Sequence, residues 1–240
     1  NNVHMLKGLY GKDLISFGKN PEKEWTARNI HVPGGFHIEY DVYHGDEFIT
    51  HIYLHIPGEH NVLNSLAAFI ACIKSGADVE KAAHGLSDFT GAGRRFELKG
   101  TYCGITVADD YAHHPREIEV TLEAAMKMGY KRVWAVHQPF TYSRTSRLLD
   151  DFARVLKIAD NCVVSEIMGS REVNTIGIKA TDLSDKIPGC IQIDKLKDIA
   201  DYLAENCKEG DLVITLGCGD VYKVSRMLVE KLKKKEATTE

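Results

Sequence analysis

The sequence lacks any run of eighteen or more apolar residues, so it offers no candidate membrane-spanning helix. It has only six prolines and no proline- or glycine-rich tract, which excludes a stiff or low-complexity linker. The opening residues, Asn1, Asn2, Val3, His4 and Met5, lack the basic-then-apolar pattern of a secretion signal. The six cysteines, at 72, 103, 162, 190, 207 and 218, form no Cys-x-x-Cys pair and no zinc spacing. They read as reduced core or near-core thiols of a cytoplasmic protein. Clustered positive charge is missing as well. The formal net charge is −4, which argues against a nucleic-acid partner. The one dense basic stretch, 231–235, reads as a solvated last helical turn fraying into a tail. A phosphate-gripping P-loop is also absent. Gly11-Lys12 has Leu6 where glycine is required and Asp13 after it, and Gly18-Lys19 is followed by Asn20.

What remains is an ordinary globular composition, 44% apolar and 27% charged over 240 residues, enough for two modest domains. Residues 14–18 suggest a short strand, and 25–32, 36–43 and 47–56 alternate with period two. Pro33, Gly34 and Gly35 mark a turn, and Phe48, Ile52, Leu54 and Ile56 fall on one face. Together these stretches predict a small antiparallel meander. Its histidines, at 31, 37, 44, 51 and 55, have no fixed ligand spacing and read as polar-face residues. A helix over 62–73 looks apolar nearly all round, with Asn61 as its N-cap and Gly76 as its stop. Asn64 interrupts it, and two readings stand: its amide bonds nearby backbone, or it faces a ligand of opposite pattern, such as an adenine edge. A second helix, 79–87, has Asp78 as cap. Gly91, Gly93, Arg94 and Arg95 then break the pattern and place a domain boundary near 93.

Beyond it, a hairpin over 96–103 and 105–109 leads into regular alternation. Helices are expected at 115–128, 146–158, 181–187, 196–206 and 221–234, and strands at 132–137, 161–165, 190–193 and 211–216. That order predicts an α/β domain with a parallel sheet covered on both faces and right-handed crossovers. Its strand ends collect the polar groups. Asp109, Asp110, Tyr111, His113 and His114 follow one strand. His137, Gln138, Thr141 and Arg144 follow the next. Arg171 and the Gly217-Cys218-Gly219-Asp220 turn follow two others. In a parallel sheet all of these share the edge where ligands bind. Each also has a structural reading. His113, His114 and Pro115 can simply start a helix. Arg144 suits either an anion or a surface ion pair. The glycine turn lacks the third glycine of a dinucleotide fingerprint.

Five segments in this order resemble the Mur ligase family: 58–64, 93–97, 109–115, 138–145 and 217–220. The resemblance covers nearly the whole chain. It implies that 1–93 is the tail, antiparallel strands plus helices, of a central P-loop ATPase domain, and that 94–240 is a C-terminal Rossmann-like domain. The P-loop would then belong to the remaining N-terminal half, and this chain would be a fragment, inactive alone. The implied activity is ATP-dependent amide formation in peptidoglycan synthesis, joining L-alanine to UDP-N-acetylmuramate through an acyl phosphate, with Mg²⁺. The resemblance places His60, Asn61 and Asn64 around adenine and Asp110 on the ribose. It assigns Arg95, His113 and His114 to catalysis, and Tyr111, Thr141 and Arg144 to the substrates, in a site completed by domain closure. No metal ligand is expected among the side chains, since adjacent histidines such as His113 and His114 diverge. Phe140 departs from the family's histidine at that place and is left out of the site. Two alternatives stay open: a non-catalytic nucleotide-binding module, and the family's murein tripeptide-recycling ligase.

Overall fold

The computed structural model describes residues 14–32 and 37–239. The expected Pro33–Gly35 turn, the start of the second expected strand at Phe36 and the Gly11-Lys12 pair lie outside the described residues. The chain divides into two compact units, Asn1–Thr90 and Gly91–Glu240.

The first unit contains a four-stranded sheet. Strands β1 (Phe17–Gly18), β2 (Trp25–His31), β3 (Ile38–His44) and β4 (Glu47–Leu54) lie in that order, parallel for β1–β2 and antiparallel for the rest. One face packs on helices α1 (His60–Lys74) and α2 (Val79–Ser87), with Ile38, Tyr40, Ile52 and Leu54 against Val62, Leu66 and Phe69. The Tyr40 hydroxyl meets Ser65 Oγ at 2.7 Å, and burial pushes this phenol well above its ordinary value. Pairing slips at two places, between Arg28 and His31 of β2 and again between β3 and β4. Val42 pairs with Thr50 but Tyr43 pairs with Phe48, so Ile49 is an extra residue in a bulge. Ile49 turns toward the core, and Phe48, expected there, is 53% exposed.

Helix α1 departs from expectation in two ways. It begins at His60 with Glu59 as N-cap and no side-chain cap, so Asn61 lies inside its first turn. The Asn61 N–H is already taken by the Gly58 carbonyl at 2.8 Å, so the chain has turned before Asn61 could cap it. The helix is also one-sided. Val62, Ser65, Leu66, Phe69 and Ile70 are buried, whereas Leu63, Asn64 and Cys72 are exposed. Cys72 is therefore not a core thiol, while Cys162 and Cys207 are buried as expected.

The second unit is a six-stranded sheet of β5 (Glu97–Tyr102), β6 (Ile105–Asp110), β7 (Arg132–His137), β8 (Asn161–Val164), β9 (Ile191–Gln192) and β10 (Asp211–Leu216). Its spatial order is β5-β6-β10-β7-β8-β9, with β5 antiparallel and the other neighbours parallel. The β5–β6 turn is Cys103-Gly104, both left-handed, the backbone that a tight two-residue hairpin demands. Helices α3 (Pro115–Met126), α4 (Tyr142–Arg147), α5 (Leu149–Leu156), α6 (Ala180–Ser184), α7 (Leu196–Asn206) and α8 (Tyr222–Thr239) fill the connections. Ile118, Leu122, Phe152, Leu156 and Leu183 from α3, α5 and α6 cover one face. Ile199, Leu203, Val224 and Leu228 from α7 and α8 cover the other. Crossovers from β6 through β9 step one way along the sheet, and the return to β10 steps back. A single crossover hand then requires the helices to change face, as they do. Sandwiched so, every residue of β6 and β10 is buried.

Two boundaries differ by four residues or more from the sequence reading. The expected helix 146–158 is two helices meeting at Leu148, and residues 142–147 are helical rather than loop. The basic stretch 231–235 lies within α8, which continues to Thr239. Among the described residues no helix is long and apolar enough to cross a membrane.

Candidate functional site

The last strand inserts between the first two parallel ones, so connections leave β6 and β10 toward opposite faces. The crevice at the carboxyl ends of β6, β10 and β7 is where an open α/β sheet receives ligands. The stretch from Asp109 to Glu117 sits there.

Asp109 is fully buried and accepts from Arg94 Nε at 2.9 Å and from Thr215 Oγ1 at 2.5 Å. Asp110, 6% exposed, accepts the Phe96 N–H at 2.8 Å and the Ala112 N–H at 2.7 Å. Burial raises the Asp110 carboxyl above its ordinary value, against those two N–H groups and the Arg95 charge. Arg95 is exposed, with its guanidinium 5.9 Å from the Tyr111 ring. Among the described residues it makes no ion pair. Tyr111, 37% exposed, meets His113 edge-on at 5.5 Å.

The two histidines do different things. His114 is the N-cap of α3, its Nδ1 accepting the Arg116 N–H at 3.3 Å, with Pro115 in the first helical turn. Glu117 reaches back to the N–H groups of His113 and His114 at 3.0 and 3.2 Å, completing a capping box. His113 Nδ1 lies 3.1 Å from the Tyr111 carbonyl and 3.3 Å from Glu117 Oε2. Burial raises the Glu117 carboxyl, but the His113 and His114 N–H groups and the charges of His113 and Arg95 outweigh it and hold it low. His114 thus serves the helix start, and His113 faces Tyr111.

The β7 end adds a second group. His137 is fully buried, stacked on Phe152 at 5.3 Å, with Nδ1 3.1 Å from the Leu216 carbonyl. A carbonyl only accepts, so Nδ1 carries the proton and Nε2 is a bare lone pair, buried without a partner among the described residues. Burial holds this imidazole down at about 4. Thr141 has φ 65°, a left-handed conformation that β-branched residues avoid, and its N–H donates to the Met168 carbonyl at 2.9 Å. Arg144, one turn on in α4, is half-buried, and its Nη1 is buried without a partner among the described residues. Burial raises the Cys218 thiol, moderated by the nearby charges of Arg144 and Arg94.

Arg95, Asp110, Tyr111 and His113 therefore form one neighbourhood, and Thr141 with Arg144 share the start of α4. His60, Asn61 and Asn64 lie in the first turn of α1, in the other unit. There the exposed Asn64 amide donates to Asn61 Oδ1 at 3.1 Å, and Asn61 Nδ2 donates to the Pro57 carbonyl at 2.6 Å. Asn64 is not the buried amide expected; it is exposed and bonds a neighbouring side chain rather than the backbone. Two residues named in the sequence, Arg94 and His137, received no site role there. The doubled arginine is the only signal for the first, and His137 stands at its strand end with no neighbour in sequence to give it a role.

The family description "Mur ligase, glutamate ligase domain" matches residues 94–219. The chain belongs to the Mur ligase family. It is 42% identical over 238 residues to the UDP-N-acetylmuramate–L-alanine ligase of Caldanaerobacter subterraneus subsp. tengcongensis, covering 98% of this chain and 52% of that protein. It is 45% identical over 223 residues to the protein of the same name from Lachnospira eligens, covering 91% and 49%. The chain thus spans about half the length of the curated relatives it matches. Among solved structures, the UDP-N-acetylmuramate–alanine ligase of Thermotoga maritima shares the fold, with a TM-score of 0.78 at 24% identity, over 92% of this chain and 48% of that one. The murein peptide ligase of Psychrobacter arcticus superposes with a TM-score of 0.61 at 28% identity, over 90% and 45%. Within this Mur ligase chain the family match opens on Arg94 and closes on Gly219, so it contains the candidates on the strand-end rim except Asp220.

Proposed function

We propose that this chain is the C-terminal part of an ATP-dependent ligase that joins L-alanine to UDP-N-acetylmuramate, a step of peptidoglycan precursor synthesis. The observation that carries this reading is the 42% identity, over 98% of the chain, to a relative of that name. On this reading residues 1–93 are the tail of a central ATPase domain, 94–240 are the C-terminal domain, and the phosphate grip belongs to the N-terminal half.

The chain's own groups fit anionic and nucleotide ligands. Asn64, exposed on α1 with no bond to its amide oxygen among the described residues, matches an adenine edge, and His60 and Asn61 flank it. Each Asp110 oxygen takes one N–H bond and keeps further acceptor capacity for a ribose hydroxyl. When bound, ATP supplies the phosphoryl group that activates the lactyl carboxylate. Arg95, exposed and without an ion pair among the described residues, offsets charge on that group. Tyr111, His113, Thr141 and Arg144 orient the acceptor carboxylate and the incoming amine. His114 would act through the helix start that it caps. Mg²⁺ accompanies the proposed chemistry, but the described residues hold no cluster of three or more His, Cys, Asp or Glu fit for a metal.

The test joins this chain to its N-terminal half and assays phosphate release and product with UDP-N-acetylmuramate, L-alanine and ATP. Arg144→Ala should raise KM for UDP-N-acetylmuramate at least about tenfold, from removal of a charge-assisted hydrogen bond, with KM for ATP unchanged. No product from L-alanine would sink the reading. Product only with a murein tripeptide would replace it with the activity named for the Psychrobacter arcticus relative.

A further inference from the structure

We infer that Arg94 is a positioning residue that fastens Tyr111 and the turn at 217–220 into one rigid piece of the rim. Four interactions converge on it. Its Nε donates to Asp109 Oδ2 at 2.9 Å, and its Nη2 donates to the Gly217 carbonyl at 2.5 Å. Its guanidinium also lies 4.9 Å from the Tyr111 ring and 4.9 Å from the Tyr222 ring. Two aromatic faces and two hydrogen bonds occupy a planar cation almost completely, and only 24% of the side chain is exposed. Its charge is matched by Asp109, whose second oxygen is held by Thr215 of β10. Arg94 is therefore neutralised in place and has little left for a ligand, unlike Arg95 beside it.

The backbone explains why the two arginines diverge. Arg94 sits at φ 60°, and its N–H donates to Glu97 Oε2 at 2.8 Å. Its own carbonyl accepts the Tyr111 N–H at 2.7 Å. The same residue thus holds Tyr111 by backbone and by ring, and holds the end of β10 by Gly217. Gly217 in turn donates to the Asp110 carbonyl at 3.1 Å, which closes the tie. Tyr111 follows β6 and the turn follows β10. With Arg94 between them, the two strand-end segments keep one mutual geometry.

Hydrogen exchange on the 240-residue chain tests the tie directly. Arg94→Lys keeps the charge opposite Asp109 but removes the fork and the flat face. Exchange at 111–114 and at 216–222 should then accelerate together, by about tenfold, the size expected when one cation–π or charge-assisted interaction is removed, while β7 and β8 stay unchanged. Tyr222→Leu, which alters the ring on the far side of the guanidinium, should also accelerate exchange at 111–114, and Tyr222→Phe should not. Acceleration in one segment only, or uniformly over the sheet, overturns the inference. Should Arg94→Lys fail to fold, the two Tyr222 variants decide alone.

The consequence for turnover rests on the function proposed above. In the ligase joined to its N-terminal half, Arg94→Lys should raise KM for UDP-N-acetylmuramate about tenfold while kcat stays within about twofold. An unchanged KM removes the functional part. If the parent enzyme makes no product, the proposed function falls and the exchange experiment still judges the tie.

Discussion

Two polar groups at opposite ends of the six-stranded sheet, one around Arg132 and one around Arg144 and His137, are satisfied to different degrees. At the amino-terminal end, Arg132 grips Asp211 with both arms, Nε to Oδ1 at 3.0 Å and Nη2 to Oδ2 at 2.6 Å. Trp134 Nε1 and the Lys208 N–H also donate to Asp211, at 3.1 and 2.9 Å, and the Arg132 guanidinium lies 5.4 Å from the Trp134 ring. Burial pulls the Asp211 carboxyl up, but those donors outweigh it and hold it below its ordinary value. At the carboxyl-terminal end, Arg144 Nη1 and His137 Nε2 are buried without partners among the described residues, and Thr141 holds a left-handed backbone. A closed polar cluster stabilises the fold. An open one costs stability and persists where a ligand can complete it.

The comparison breaks most easily at its closed end. Arg132→Met leaves Asp211, 1% exposed, without its cation. The expected loss is about 3 kcal/mol, the lower part of the range for a broken buried pair, because the Arg132 side chain is 35% exposed and two N–H donors to Asp211 remain. Urea unfolding of the chain measures it. A loss of well under about 1 kcal/mol, the value of a surface pair, would place this end in the same class as the other.

The buried imidazole offers a sharper test, because its effect depends on pH. The folded pKa of His137 is depressed from 6.5 to about 4. A depressed folded value means stability that is fully present above 6.5 and lost as pH falls toward 4, reaching about 3 kcal/mol at most. His137→Phe keeps a ring against Phe152, and the Leu216 carbonyl keeps its bond from the Gln138 N–H at 3.1 Å. The variant should therefore lose less stability than the parent between pH 7 and 4.5. Asp110 works in the opposite sense, since a raised carboxyl favours folding at low pH and that gain is lost as pH rises through its folded value. Only the difference between parent and variant isolates His137. Parallel Tm-against-pH curves would mean that the imidazole is not held neutral.

This asymmetry was only partly legible in the sequence. Strands β6, β7 and β10 were, because both faces are covered and each reads as a nearly continuous apolar run between turn signals. The rim followed from them, since strand ends in a parallel sheet share an edge. The bulge at Ile49 was not legible, because alternation on paper runs straight through it. Nor was α4, whose Tyr-Ser-Arg-Thr-Ser-Arg sequence has no apolar period and is held by Thr145 bonding back to Thr141. The division of labour between Arg94 and Arg95 depends on a carbonyl 123 residues away. No local pattern encodes that.

Thr141 gives the smallest effect and the one most specific to the open end. A threonine at φ 65° and ψ 142° is strained, whereas glycine adopts such a backbone freely. Thr141→Gly removes strain of about 1–3 kcal/mol. Ser143 chiefly holds the exposed Glu172 carboxyl low, so the loss of the Thr141 hydroxyl's smaller share matters little there. The substitution also raises the entropy of the unfolded chain, which costs about 0.5–1 kcal/mol. The sum favours the variant by about 1 kcal/mol, read as a higher urea midpoint at an unchanged slope. The Thr141 N–H bond to Met168 and its carbonyl bonds to Thr145 belong to the backbone and survive the change. If the midpoint falls instead, the threonine side chain is stabilising its own conformation, and the strain assigned to this end of the sheet is not stored there.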